Sequence, residues 1–485
     1  PRPGLQFLSP NEPGFPTGRY CIRFHEKRAW QIQIAFGGVD LSEPEFRRHA
    51  RVILRHEIGH ALYCPGDLLL HQRMVLAEIR AFKAAGVAVN GKNAGAFTNQ
   101  VSDILVDTRN FHKYEEETLK DERYWFRRGL KTAGGDGWAP ADRAGEFMFA
   151  VKEALWGASI GCTNDPVRQK YIDRLKPLFQ KSMEVNGNAQ RSAFVELVPA
   201  YIKAWIEYSK EIGADIQIFP NEATPLVVSS ASEADVRSFA GECSLDEFLA
   251  VHGNLPSDQL NQAKRIWYEQ NAVPWEPPFR VKNGGAAHAI YPVRWRMGDP
   301  IEELDLTMSL QVSPVILPGI TTRRWHRTNS RMQGDAPEIP AMLVAIDVSG
   351  SMKGPRLEIA RLASYSILAY CENNNVPSAG IAFSGEGECE ISPWSKSAGP
   401  AKDILLEEFG GNTVFPIERA EQLISETKTP KAMVVLTDTQ LLNWDSAQAS
   451  FLALMRKGHR LLIYIIKGTE ADKEKCNPFV SAGGS

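Results

Sequence analysis

The 485-residue chain contains no Cys-x-x-Cys pair and no Gly-x-x-x-x-Gly-Lys-Ser/Thr phosphate loop. It also has no unbroken apolar run of the roughly 18 residues needed to cross a bilayer. Each absence excludes something. Seven cysteines, at Cys21, Cys64, Cys162, Cys243, Cys371, Cys389 and Cys476, are odd in number and scattered. They suit neither a disulfide framework nor a cysteine zinc site, and reduced thiols in a cytoplasmic protein are the simplest expectation. Without the phosphate loop the chain is not itself a P-loop ATPase. Neither sign of charge dominates: 55 basic against 58 acidic residues leave a net charge of -3. That gives no basic footprint for nucleic acid. Repeats and low-complexity tracts are also missing. Residues Pro1 to Pro13 lack an apolar signal core, and Pro1 stands where an initiator methionine would, as in a truncated chain.

What is present is the composition of ordinary globular cores, 43% hydrophobic and 23% charged, at a length that suits two to four domains. Alternating residues Gly18 to Phe24 and Ala29 to Phe36 predict a hairpin around Glu26-Lys27. Ser42 and Glu45 form a capping-box pattern ahead of a helix through Tyr63, stopped by Cys64-Pro65-Gly66. Further helices are expected over Leu68 to Ala84 and Ala94 to His112, then a mostly helical stretch from Glu115 to Gln270. Its clearest parts are Tyr171 to Val185 and Ala193 to Ile212. Val273-Pro274-Trp275-Glu276-Pro277-Pro278 reads as a linker. Tyr291 to Met297 and Leu304 to Val312 read as strands, and Pro314 to Asp335 as irregular. The basic cluster Thr321 to Arg327 inside it reads as a solvated loop. From Pro340, short apolar runs at Met342–Ile346, Ala379–Phe383, Met433–Leu436 and Leu461–Ile466 alternate with helices near Arg356–Tyr370, Pro416–Glu426 and Ser446–Arg456. That is the pattern of a doubly wound α/β sheet. The expected organisation is multidomain α/β and α+β: an N-terminal α+β domain (1–114), a helical region (115–272), a connector (273–337) and a C-terminal Rossmann-like domain (338–485).

Two motifs carry chemistry. His56-Glu57-Ile58-Gly59-His60 sits in the first long helix, so its histidines share one face a turn apart and can bind one Zn²⁺. Glu57 is the expected general base toward a zinc-activated water. Gly59 weakens a helix by about 1 kcal/mol and suggests that another backbone or helix comes close. A catalytic zinc needs a third protein ligand. Asp103 is the first candidate, on a face with Asn99 and Asp107; Glu78 and Asp107 are the alternatives. His49 and His71 are expected to be solvent-facing or structural.

The second motif is Asp347-Val348-Ser349-Gly350-Ser351, directly after the first apolar run of the α/β pattern. Carboxylates and hydroxyls suit Mg²⁺, which takes oxygen ligands. Thr413, in Gly410-Gly411-Asn412-Thr413, and Asp438, after Met433–Thr437, stand on loops that can converge with it at the carboxyl edge of the sheet.

The order Asp-x-Ser-x-Ser, Gly-Gly-Asn-Thr, Leu-Thr-Asp, with Met352 after the last serine, resembles the metal-ion-dependent adhesion site of von Willebrand factor A (vWA) domains, over about 338 to 480. The resemblance implies Mg²⁺ held by Ser349, Ser351 and Thr413, with Asp347 and Asp438 directly or through water. One coordination position would stay open for a partner's acidic residue. Residues 18 to 112, with His56, Glu57, His60 and the Asn99–Asp103 helix, resemble the zincin-like metallopeptidase domain that precedes vWA-like domains in bacteria. Together the resemblances imply a cytoplasmic zinc peptidase acting on a protein or peptide, docked through Mg²⁺ to a partner such as a MoxR-type AAA+ ATPase. The alternative expectation is a non-catalytic vWA adaptor with a structural or degenerate His-Glu-x-x-His site. A stress or phage-defence role would be the biological context of either.

Overall fold

The structure, a computed structural model, describes residues 4–7, 20–25, 28–34, 44–89, 93–132, 143–216, 233–253, 255–278, 288–296, 299, 301, 304–313, 315–318, 320–328, 339–426 and 429–482. The fold is mixed α/β. It divides into two units, Pro1–Ala272 and Val273–Ser485, at the start of the Pro-rich segment.

In the first unit β1 (Gly4–Phe7), β2 (Tyr20–His25) and β3 (Arg28–Ile34) form a sheet in the order β1-β3-β2. β2 and β3 are the antiparallel hairpin, with Ile22 opposite Ile32. The Glu26-Lys27 turn and Ser42, expected to cap the next helix, lie outside the described residues. Helix α1 (Pro44–Leu62) buries Val52 and Ile53 and ends just before Cys64-Pro65-Gly66, where Gly66 takes a φ of +78°. Helix α2 (Leu68–Ala84) is capped by Asp67, whose carboxylate accepts the Leu70 N–H at 2.9 Å.

Helix α3 (Ala96–Thr132) passes through the boundary expected after residue 114, and it bends there: Tyr114 has non-helical φ/ψ of −139° and 47°. The bend is sharp. Asp107 and Glu122 would stand about 22 Å apart along a straight helix. Yet one ammonium, Lys152 Nζ, reaches both carboxylates, at 2.6 and 3.0 Å. No proline or glycine is present at the bend. Cations of α1 hold it instead. Arg55 stacks on the Tyr114 ring at 3.8 Å, and Arg51 and Arg55 donate to Glu117 at 2.8 and 2.6 Å.

Helices α4 (Arg143–Trp156), α5 (Pro166–Glu184) and α6 (Gly187–Glu211) pack with α2 and α3 around an aromatic core. There the Phe147 ring lies 5.5 Å from Tyr201 and 5.6 Å from Trp205. Helices α7 (Glu233–Ala240), α8 (Leu245–His252) and α9 (Ser257–Asn271) complete the unit.

α1 and α3 meet at Gly59. A Cβ placed there would lie 2.4 Å from Val106 Cγ1, inside any tolerable contact. This is the close approach that the glycine suggested, and the neighbour is a side chain of α3.

The second unit carries β4 (His288–Arg294), α10 (Leu306–Val312) and β5 (Arg323–Thr328), then β6 (Ala341–Asp347), α11 (Pro355–Asn373), β7 (Ser378–Phe383), β8 (Cys389–Ile391) and α12 (Gly399–Ile404). After these come α13 (Ile417–Ser425), β9 (Lys431–Thr437), α14 (Trp444–Arg456), β10 (Arg460–Ile465), α15 (Glu470–Lys475) and α16 (Asn477–Ser481). The main sheet runs β10-β9-β6-β7-β8; all pairs are parallel except β7–β8. β7 and β9 are buried along their whole length, as expected of parallel strands covered on both faces. From β6 the chain goes to β7 on one side and later to β9 on the other. The strand order therefore reverses between β6 and β9, where α/β folds open a crevice at the carboxyl ends.

Two local expectations are corrected. Leu304 to Val312 is not a strand. Asp305 accepts the Met308 N–H at 2.9 Å and caps helix α10. Within Pro314 to Asp335, expected to be irregular, Arg323–Thr328 forms β5, antiparallel to β4. The basic cluster is thus largely strand and not a solvated loop. No helix among the described residues is long and apolar enough to cross a membrane.

Gly59→Ala tests the α1–α3 contact. Helix propensity alone would favour alanine by up to about 1 kcal/mol, but the overlap with Val106 outweighs it, since overpacking costs about 1–3 kcal/mol. The variant should unfold at lower denaturant, and Gly59→Ala with Val106→Ala should recover much of the loss. A single variant more stable than wild type would refute the contact.

Candidate metal centres

His56 and His60 leave α1 on the same face, and their rings meet edge to face with Nε2 atoms 3.1 Å apart. Asp103, on α3 opposite the histidines, brings Oδ1 to 3.2 Å from His60 Nε2 and 3.5 Å from His56 Nε2. Among the described residues these three form the one group of histidine, cysteine and acidic side chains close enough together to hold a metal ion. Four ligands at about 2.0–2.1 Å around a tetrahedral zinc stand about 3.3–3.4 Å from one another. The three separations match that spacing.

The outer contacts fix which nitrogen faces inward. His60 Nδ1 lies 2.9 Å from the Cys64 carbonyl oxygen, an acceptor, so Nδ1 carries the proton. His56 Nδ1 lies 2.6 Å from Asp107 Oδ1 and donates to it. In the neutral rings both Nε2 atoms therefore present lone pairs, and Asp103 Oδ1 is a third acceptor, buried without a hydrogen bond. Three converging acceptors need positive charge between them: protons or a metal. Burial opposes the charged form of His56, yet Asp107 and Asp103 outweigh it and raise its pKa well above the ordinary value. Burial likewise opposes the Asp103 anion, and the two imidazoles overcome it, holding the carboxyl well below its usual range. The residues fit a divalent cation with nitrogen and oxygen ligands.

Glu57 is only 4% exposed, and burial raises its carboxyl pKa although His56 and His60 pull the other way. No hydrogen bond holds its carboxylate among the described residues. Of the alternative third ligands, neither takes that place. Asp107 supports His56 from behind and accepts from Lys152. Glu78 is fully buried elsewhere and accepts the N–H groups of Gly95 and Thr98 at 3.1 and 2.7 Å, just before and within the first turn of α3; burial pushes its pKa up to about 7. His49 bonds Asp121 at 2.9 Å, and burial pushes His71 down to about 4. Lys152 and the Cys64 carbonyl carry no sequence signal. Asp107 does, since it continues the Asn99–Asp103 face by one turn.

In the second unit Asp347 ends β6, wholly buried. Its Oδ1 accepts the Ser349 N–H at 3.0 Å, and its Oδ2 accepts the Thr437 hydroxyl at 2.8 Å. The Ser349 and Ser351 hydroxyls lie 3.2 Å apart. The Gly350 N–H meets the Gly411 carbonyl at 3.4 Å, which brings the loop bearing Thr413 against the serine loop. Thr413 is buried, and its hydroxyl has no hydrogen bond among the described residues. Asp438 follows β9, next to β6; Oδ1 accepts the Gln440 N–H and Oδ2 the Arg356 guanidinium, both at 3.2 Å. Burial raises the Asp347 pKa, Ser349 and Thr437 lower it, and Asp438 adds to the rise. An all-oxygen set of hydroxyls and carboxylates at the switch point fits a hard cation.

Comparison of the chain with protein-family models and with curated proteins finds no match.

With Zn²⁺ as the probe cation, Asp103→Ala should retain much less zinc than wild type, measured by elemental analysis after loading and dialysis in excess Mg²⁺. Glu78→Ala should keep the zinc and lose about 1 kcal/mol of stability, the usual worth of an N-terminal helix cap. Zinc lost from Glu78→Ala and kept by Asp103→Ala would reverse the assignment.

Proposed function

We propose that this protein is a zinc-dependent metallopeptidase. Its first unit is zincin-like, with Zn²⁺ held by His56, His60 and Asp103. The observation that carries the reading is the convergence of three acceptors beside a buried carboxylate, that of Glu57, which makes no hydrogen bond among the described residues. When bound, zinc supplies Lewis acidity, acidifying water and polarising a carbonyl. The chain's own residues do the rest. Asp107 and the Cys64 carbonyl orient the two imidazoles. Glu57 takes a proton from the water as its oxygen bonds the peptide carbonyl carbon. It then gives that proton to the departing amide nitrogen as the C–N bond breaks.

In the same reading the second unit is a vWA domain. Ser349, Ser351 and Thr413, with Asp347 and Asp438, hold Mg²⁺ and present it to an acidic residue of a protein partner. The sequence resemblance supports a MoxR-type AAA+ ATPase as that partner, with phage defence or stress as context. One observation favours a second reading, a non-catalytic adaptor: the burial of Glu57 and His60 suits a structural metal as well as a catalytic one.

Glu57→Gln separates the two. It should keep one zinc and the wild-type melting temperature, and lower casein or self-cleavage by about 10²-fold or more, the usual weight of a general base. Equal turnover in the variant would eliminate the peptidase mechanism.

Asp347→Ala should abolish Mg²⁺-dependent, EDTA-sensitive capture of a MoxR-type ATPase and leave the zinc content of the first unit unchanged. Capture as strong as that of wild type would show that docking occurs elsewhere.

A further inference from the structure

Lys152, on α4, is 3% exposed. Its ammonium lies 2.6 Å from Asp107 Oδ2 and 3.0 Å from Glu122 Oε1, with the Phe149 ring centroid at 5.2 Å. Taking a lysine out of water is expensive, and a buried ion pair is often no better for stability than well-packed apolar residues. Stability alone therefore does not account for it. The contact on its far side does. Asp107 has two oxygens; one is on Lys152 and the other is 2.6 Å from His56 Nδ1. An unbroken line runs from Lys152 through Asp107 to His56, whose Nε2 faces His60 and Asp103.

We propose that Lys152 is a positioning residue for the His56–His60–Asp103 centre: it fixes the orientation of the Asp107 carboxylate, which in turn keeps His56 Nδ1 turned outward and Nε2 facing His60 and Asp103. This rests on the metal-centre reading given above. Pinned at both oxygens, the Asp107 carboxylate cannot turn away from the imidazole. Glu122, on the far limb of α3, pins the ammonium in turn.

Two effects of Lys152 on a bound cation oppose each other. Its ammonium repels a divalent ion directly, so its removal by repulsion alone would tighten binding. As a support for Asp107, its removal would weaken binding, because outer contacts of metal-bound histidines are worth about 10–100-fold in affinity. The sign of the change tells which effect dominates.

The experiment measures Zn²⁺ affinity by chelator competition, in excess Mg²⁺, on the full chain and on Lys152→Met, Asp107→Asn and the double variant. The visible absorption of bound Co²⁺ is read on each. Lys152→Met should bind zinc about tenfold more weakly with an altered cobalt spectrum, and the double variant should bind no more weakly than Asp107→Asn alone. Should Lys152→Met fail to fold, Lys152→Gln, which keeps a donor to Asp107, and the pair Asp107→Asn and Asp107→Asn/Lys152→Met carry the same comparison. Unchanged or tighter zinc binding in Lys152→Met, or losses that multiply in the double variant, would overturn the proposal. A wild-type chain that binds no zinc and gives no cobalt spectrum would overturn the metal reading along with it.

Discussion

The closeness of α1 and α3 at Gly59 is the constraint on which the first unit depends. Asp103 is a short side chain. Its carboxylate meets two imidazoles of the facing helix only because the helices touch there, with Val106 filling the space a Cβ would occupy. Gly59 lies one residue before His60, and Val106 one turn of α3 beyond Asp103. The helix former that intrinsic propensity would choose at position 59 would push apart the groups that the motif brings together. Local stability is given up for convergence, and the tertiary contact restores it.

Much of this was legible in the sequence because helix geometry leaves few choices. Two histidines four residues apart share a face, and Asn99, Asp103 and Asp107 share another. Sequence could not say which acid meets the histidines. Asp103 and Asp107 differ by a single turn; the structure gives one the inward place and the other the outer oxygen contact. Glu78 has a plausible spacing, but its carboxylate is occupied by the N–H groups of Gly95 and Thr98. Lys152 comes from another helix with no pattern to mark it. In the second unit the apolar runs read correctly as strands, buried in β6, β7 and β9 but only half-buried beyond Leu462 in β10, whereas Leu304, Leu306, Met308, Leu310 and Val312 alternate like a strand in what is mostly a helix. The Asp305 cap decided that segment. β5 escaped notice because its residues are basic and it lies in a sheet of just two strands among the described residues, β4 and β5.

The second centre is organised by backbone topology. Where the strand order reverses, the loops after β6 and β9 leave neighbouring strands and diverge, so Asp347 and Asp438 flank one crevice. Their charges are managed differently. Asp347 is wholly buried and held by a backbone N–H and a hydroxyl. Asp438 keeps a cation of its own, Arg356, which also donates to the Ser351 carbonyl at 3.2 Å. Two carboxylates therefore share the crevice with one of them already partly neutralised, which lessens their mutual repulsion.

The bend at Tyr114 fixes a rotational phase. Each residue added to a helix turns everything after it by about 100°. A single insertion between Lys113 and Glu117 would leave Asp103 and Asp107 in register with α1, but would swing Glu122 around its limb and away from Lys152. The same insertion would carry Glu117 away from Arg51 and Arg55. The number of residues in this corner is thus set from both ends, by the arginines of α1 on one side and by the ammonium of α4 on the other. Among sequences that share this architecture, length should vary less here than in the segments between helices.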